Sequence, residues 1–305
     1  MGELVLVAFA GFFAAMVDGA LGMGFGPTSS AILLTTGISP AAVSATVNLA
    51  KVASGMAAGV SHWRLNNIDH RLVVRLAAPG AVGALIGALV LSNVNGDEIR
   101  PILAILLMFV GLRILFRFSR ALPASRNAAA DEAASRRAPE FDGRGVEVAA
   151  LAGGVTNGLV GAWGPVVTPF LLHRGLPPRY AIGSVNTAEV AVAVVSAGTL
   201  VTVLGRGGID VGFLVAMLIG GVVAAPLAAY FVRLVPARLL GLAVAGLLLL
   251  TQSRELATAY HLSDSRWIVY LSIPAVVGLA ALRPRISRRL RGREPGRPGG
   301  DEKRD

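Results

Sequence analysis

The chain contains no cysteine, which removes disulfides, thiolate metal sites, iron–sulfur clusters and cysteine nucleophiles from consideration. Histidine is almost as scarce, with four scattered residues in 305, so a metal-dependent hydrolase has little to be built from. No cofactor and no metal are expected. Charge is the third shortage: 15% of residues are Asp, Glu, Lys or Arg, where an ordinary soluble domain devotes about 25%. No Walker motif is present, which argues against an ATPase, and there is no H-E-x-x-H and no G-x-S-x-G. The amino terminus, MGELVLVAFAGFFAAMVDG, carries Glu3 and no Lys or Arg ahead of its apolar stretch. It therefore lacks the positive n-region of a cleaved signal and is expected to belong to the working structure.

What is abundant is apolar. Hydrophobic residues make up 54% of the chain and the mean hydropathy is +0.66. Apolar segments of bilayer length lie near 3–36, 39–60, 72–92, 99–118, 146–173, 178–204, 211–232, 236–251 and 266–282, as in a polytopic membrane protein. The first and fifth are unusually long and interrupted by glycine. The net charge of +10 does not point to nucleic acid, because nine of the 28 basic residues fall between Arg283 and Arg304. That Pro/Gly-rich tail has no aromatic residue for a base to stack on and reads as disordered and cytoplasmic, held near anionic lipid.

Residues 119–145 are a polar Ala/Arg-rich linker, and it separates two related halves. Aligning residue n with n+138 from Val17 to Val52 gives twelve identities in 36 positions without a gap. They include Gly26-Pro27 with Gly164-Pro165, Gly37 and Pro40 with Gly175 and Pro178, and Asn48 with Asn186. Apolar composition supplies some Leu, Val and Ala coincidences, but not paired Gly-Pro turns and paired intramembrane asparagines. The result is a first repeat over 1–118, the linker over 119–145, a second repeat over 146–251, an additional helix at 266–282 and the tail at 283–305.

Basic residues set the orientation. If both broken segments fold back as hairpins, 23 basic residues collect on one side, leaving Arg100, Arg206, Arg254 and Arg266 on the other. If each crosses once the division is 13 to 14, so the positive-inside rule favours hairpins. Single crossings with a non-spanning 266–282 give 22 to 5 and rank second, because WIVYLSIPAVVGLAALR is as apolar as the accepted helices. The expected fold is therefore an all-α polytopic membrane protein of two homologous halves. Each half is a broken re-entrant-like hairpin plus three transmembrane helices. An odd number of crossings inverts the repeat, and an extra helix lies at the C-terminal end. Inverted repeats place a site near the midplane.

Within the broken segments, DGALGMGFGPTSS (Asp18 to Ser30) and TNGLVGAWGPVVTP (Thr156 to Pro169) should each start a half-helix at the proline, which lacks an amide proton and suits a first turn. Amides around Gly24, Gly26, Thr28 and Gly164 then face the membrane interior and attract anions; close helix packing is the alternative use of such glycines. Asp18 has Thr156 opposite it in the repeat and either caps the break or takes part in transport. In the next helices, SATVNLAKV and GSVNTAEV, Asn48 and Asn186 either hold oxyanion oxygens or satisfy unwound backbone. Thr46 and Ser184, with Ser44 and Thr187, offer hydroxyl donors, or bond their own helix. Lys51 and Glu189 occupy equivalent positions with opposite charge. Either they pair across the pseudo-twofold, or Lys51 attracts an anion while Glu189 takes a proton. His62, Trp63 and Arg64 read as interfacial anchors.

These two hairpins and following helices, with SHWRLNNIDHRL, APGAVGALIGA and GAWGPVVTPFLLHRGLPPRYAIGSVNTAEV, resemble the TauE/SafE sulfite exporter family from about residue 3 to about residue 250. The resemblance implies a cell inner-membrane permease that exports sulfite, sulfonates or related small sulfur-containing anions without ATP hydrolysis. Its expected partners are that anion and membrane lipids, not nucleic acid, and the sequence leaves the oligomeric state open, a homodimer included. The linker and tail are expected in the cytoplasm. A passive anion channel shares every one of these features. An intramembrane enzyme or assembly factor needs a nucleophile or metal constellation that the sequence does not supply, so the chain is read as not an enzyme.

Overall fold

In a computed structural model the described residues are 2–21, 23–119, 141–205, 209–234, 237–260 and 271–280, with backbone only for 19–21, 225–234 and 237. Most of the linker, the flanks of the last apolar segment and the basic tail lie outside them. Ten α-helices follow in order: α1 Gly2–Leu21, α2 Phe25–Leu34, α3 Pro40–Arg64, α4 His70–Asn93, α5 Gly96–Ser119, α6 Val146–Val160, α7 Gly164–His173, α8 Pro178–Leu204, α9 Val211–Leu234 and α10 Ala237–Ala259. A further helical stretch, α11, covers 271–280, and no strand occurs among the described residues.

Local chemistry explains several boundaries. Ser39 caps α3 by accepting from the Ala42 amide at 3.3 Å, with Pro40 in the first turn. Asp69 caps α4 by accepting from the amides of Arg71 and Leu72 at 3.0 and 3.1 Å. A capping oxygen here satisfies amides that have no intrahelical partner. α4, α5, α8 and α10 are long and apolar enough to cross a membrane. The 25 residues of α3 would also reach across at ~1.5 Å each, yet α3 is polar, burying Ser44, Thr46, Asn48 and Lys51. Such a helix needs protein, not lipid, around its polar residues.

The second broken segment is a hairpin. Its mouth is closed where Asp142 forms an ion pair with Arg174 and donates its amide to the Arg174 carbonyl. Gly145, at the start of α6, lies against the Phe170 ring and Arg174 at the end of α7. The Arg144 amide, and after it the Arg174 guanidinium, holds the Asp142 carboxyl below the usual range. The exit of the first hairpin is tied down by Arg100, which donates to the carbonyls of Leu34, Gly37 and Ile38.

Helices pair between the halves. α4 runs alongside α6, with Arg75 at Glu147, Gly83 at Leu151 and Gly87 at Val155. α1 runs alongside α9, with Leu4 at Gly212, Gly11 at Met217 and Ala15 at Gly221. The α4–α6 seam is built from small residues: a Cβ added at Gly83 would come within 2.1 Å of the Leu151 carbonyl oxygen. This close approach is how membrane helices gain dispersion contact when lipid offers no hydrophobic drive. α3 packs on α8 and α5 on α10. Leu85, Ile86, Phe109, Phe116 and Val203 remain exposed, as lipid-facing side chains would.

Candidate functional site

Both helix breaks coincide with the glycine-proline clusters. In the first, Gly24 adopts φ 141°, a conformation open to glycine, and the Phe25 amide donates to the Asp18 carboxylate at 3.4 Å. In the second, α6 ends at Gly161 with φ 70°. The Thr156 hydroxyl crosses the break to donate to the Ala162 carbonyl at 2.9 Å. Pro165 sits in the first turn of α7. The tips of the two hairpins touch: a Cβ on Gly26 would lie 1.8 Å from the carbonyl oxygen of Gly161.

A buried polar network locks this junction. Lys51, 4% exposed, forms an ion pair with Glu189 and donates to Asn157 Oδ1 at 2.7 Å and to the Gly161 carbonyl at 2.8 Å. Its three ammonium protons are thereby matched to three acceptors. Asn157 donates to Asn48 Oδ1 at 2.7 Å and to the Ser196 hydroxyl at 3.0 Å. Asn48 donates to the Ser44 carbonyl, the Ser44 hydroxyl and, at 3.3 Å, the Asn157 carbonyl. Ser44 in turn donates to the Gly158 carbonyl at 2.7 Å and Ser30 to the Val160 carbonyl at 2.9 Å, so the last carbonyls of α6 are satisfied from the other half.

Beside the junction lies a cavity with about 40 Å³ of room for a water centre, bordered by Asp18, Met23 to Pro27, Lys51, Ser54, Gly55, Ala58, Gly161, Gly164, Pro165, Asn186 and Glu189. The sequence-derived candidates Asp18, Gly24, Gly26, Lys51, Gly164, Asn186 and Glu189 thus meet in one place. Thr28, Thr46, Asn48 and Ser184 do not border it. Asn48 is fully engaged in the network. Ser184 accepts from the Asp69 amide at 3.0 Å, fixing the loop before α4. Thr28 is fully buried and its hydroxyl has no partner, while Thr46 is 5% exposed within α3. The two repeat-related asparagines therefore differ: Asn48 is spent on structure, whereas Asn186 faces the cavity and makes no side-chain hydrogen bond among the described residues. Asn157 was missed by the repeat comparison because its mate is Gly19. The cost of an unbonded amide in a membrane helix was the available signal.

The repeat is also broken in packing. Trp163 is fully buried, packed against Gly80 with its indole N–H donating to the Val185 carbonyl at 3.1 Å. Phe25, its repeat mate, borders the cavity instead. Likewise α8 packs along α4, while α3 and α9 touch sparsely among the described residues. On the second half of α8, Val192, Ala193, Ser196, Ala197 and Leu200 are buried. In the corresponding part of α3, none of residues 52–64 is.

Comparison with known proteins gives a concordant result. A family model described as "Sulfite exporter TauE/SafE" matches residues 7–254. A curated relative from Bacillus subtilis (strain 168), named "Probable membrane transporter protein YtnM", is 34% identical over 282 residues, covering 90% of each chain. No solved structure matches.

Proposed function

The chain belongs to the sulfite exporter TauE/SafE family of membrane transporters, and on that premise we propose that it is a secondary carrier exporting a small sulfur-containing oxyanion, sulfite or a sulfonate, through the cavity between its hairpin tips. The observation that carries this reading is that the first turns of two half-helices, at Phe25–Pro27 and Gly164–Pro165, border one cavity. The Gly26 and Gly164 amides lie in these first turns, where a helix supplies no intrahelical acceptor, and the two positive dipole ends add. Asn186 supplies a free amide. Lys51 has its protons committed, so it contributes field and hairpin anchorage instead of a direct bond. Asp18 and Glu189 share the cavity with that one ammonium, and an anion enters a region of net negative charge unless one carboxylate takes a proton. Carriage of the anion together with a proton follows, and the chain performs no catalysis. The touching tips at Gly26 and Gly161 favour a carrier over an open channel.

The helix pairings support an inverted repeat, since α4 beside α6 and α1 beside α9 exchange equivalent partners between halves. On this reading the packed α4–α8 seam closes the outer side, and the sparse α3–α9 seam opens toward the linker side. Basic loops then place the linker and tail in the cytoplasm and the protein in the cell inner membrane. Single cysteines replacing Asp97 and Arg144, both exposed and near the two hairpin mouths, should label from opposite faces of right-side-out vesicles. Labelling from one face would favour the parallel arrangement.

The functional test is purified protein in vesicles offered sulfite, thiosulfate, sulfonates, sulfate and small carboxylates. Saturable counterflow of a sulfur oxyanion is expected. Flux without saturation would indicate a channel, and turnover of a substrate in detergent would indicate an enzyme. In the same assay Asn186→Ala should lower kcat/KM about tenfold, the size of one charge-assisted hydrogen bond, with thermal stability unchanged. Equal transport by the variant would remove Asn186 from the anion's contacts.

A further inference from the structure

We propose a second anion site, a loading vestibule on the linker side formed by Arg113 and Arg117 of α5 and His173 of α7. It rests on the carrier reading for its purpose, not for its geometry. A cavity of about 530 Å³ opens there, lined by Met23, Arg113, Ile114, Arg117, Pro165, Pro169, Leu172 and His173. Among the described residues no carboxylate lines it.

No carboxylate among the described residues pairs with the two arginines of this cavity. On the same side of the molecule Arg75 is paired with Glu147 and Arg174 with Asp142, while Arg238 donates to the carbonyls of Phe118 and Ala280. Among the described residues Arg113 meets no hydrogen-bond or ion-pair partner. Arg117 meets the Met23 sulfur at 3.5 Å and the Phe118 ring at 5.6 Å, and a thioether is a weak acceptor. Two guanidinium groups four residues apart on a helix repel each other. An oxyanion between them relieves that repulsion and accepts from both, and a concave basic site between low-dielectric walls concentrates such anions.

The vestibule also leads somewhere. Met23 and Pro165 border both it and the central cavity. Met23 is 4% exposed, so the barrier between the two spaces is about one flexible, unbranched side chain thick. An anion gathered at Arg113 and Arg117 stands beside the half-helix N-termini once Met23 swings aside.

The ligand class is a small oxyanion of the sulfonate type, and its competitor for the same arginines is a lipid phosphate. The absence of native cysteine allows a direct test. Leu172→Cys, in vesicles of phosphatidylcholine, is treated with an anionic sulfonatoethyl and a cationic trimethylammonioethyl methanethiosulfonate. The anionic-to-cationic rate ratio, relative to that of free mercaptoethanol, is expected to rise about tenfold and to fall with added salt. It should return to the free-thiol value with Arg113→Gln and Arg117→Gln together and persist with both arginines changed to Lys. A free-thiol ratio in Leu172→Cys itself, or a raised ratio that survives the double Gln change, overturns the site. Loss of the preference on adding phosphatidylglycerol assigns the arginines to lipid and overturns it too. A chain that shows the preference but moves no anion in vesicles would sink the carrier reading and leave the vestibule standing.

Discussion

Changing Lys51 to Met is expected to destabilise the detergent-solubilised protein by about 3 kcal/mol, the lower end of what breaking a buried ion pair costs. Three acceptors lose their donor at once: the Glu189 carboxylate, Asn157 Oδ1 and the Gly161 carbonyl. The loss sits at the lower end because the Glu189 side chain is 18% exposed and keeps some contact with solvent. Lys51→Met with Glu189→Gln should recover about half of it, since the residual penalty belongs to the hairpin tip. Thermal unfolding of the parent, the two single variants and the double variant gives the coupling directly. A single variant as stable as the parent would mean that Lys51 does not organise the junction. Full recovery in the double variant would mean that the carbonyl of Gly161 does not depend on it.

This cycle also separates the two roles that the sequence left open for Lys51. The offset of 138 residues puts Lys51 opposite Glu189, but it cannot say that a third residue, Asn157, completes the ammonium's shell. Repeat comparison finds what both halves share, and Asn157 faces a glycine in the other half. The same limit applies to Asn48 and Asn186. Equivalent in the repeat, they part because Asn157 bonds Asn48 and not Asn186. Sequence was informative where backbone chemistry is local: the breaks fall at Gly24 and Gly161, where positive φ is needed, and α8 starts at Pro178. It was uninformative where the answer depends on which helices cross. That Ser184 fixes a loop at Asp69 instead of facing an anion follows from the contact between α8 and the chain before α4, and no spacing within SATVNLAKV or GSVNTAEV encodes it. Arg113 and Arg117 are two of the 23 basic residues that set orientation in the sequence, and their lack of carboxylate partners among the described residues is visible only in three dimensions.

Gly26→Ala should do more damage than any other single methyl group added to the cavity wall. The new Cβ would be placed 1.8 Å from the Gly161 carbonyl oxygen and 2.6 Å from its carbon, both backbone atoms that no side-chain rotation can move. The tips must separate. Separation withdraws the carbonyl that Lys51 holds at 2.8 Å and shifts the Gly164 turn away from the Phe25 turn. We expect a loss of about 3 kcal/mol, at the upper end for overpacking, and transport reduced at least tenfold in whatever protein still folds. Gly198→Ala is the matched control. A methyl there meets nothing within 4 Å, and in a helix interior it should stabilise by about 0.5–1 kcal/mol. If Gly26→Ala melts and transports like the parent, the tips do not meet in the working protein and the two dipole ends do not share one anion. If it melts early while Gly198→Ala does not, the crossing of two glycines is what brings the half-helices close enough for their fields to add.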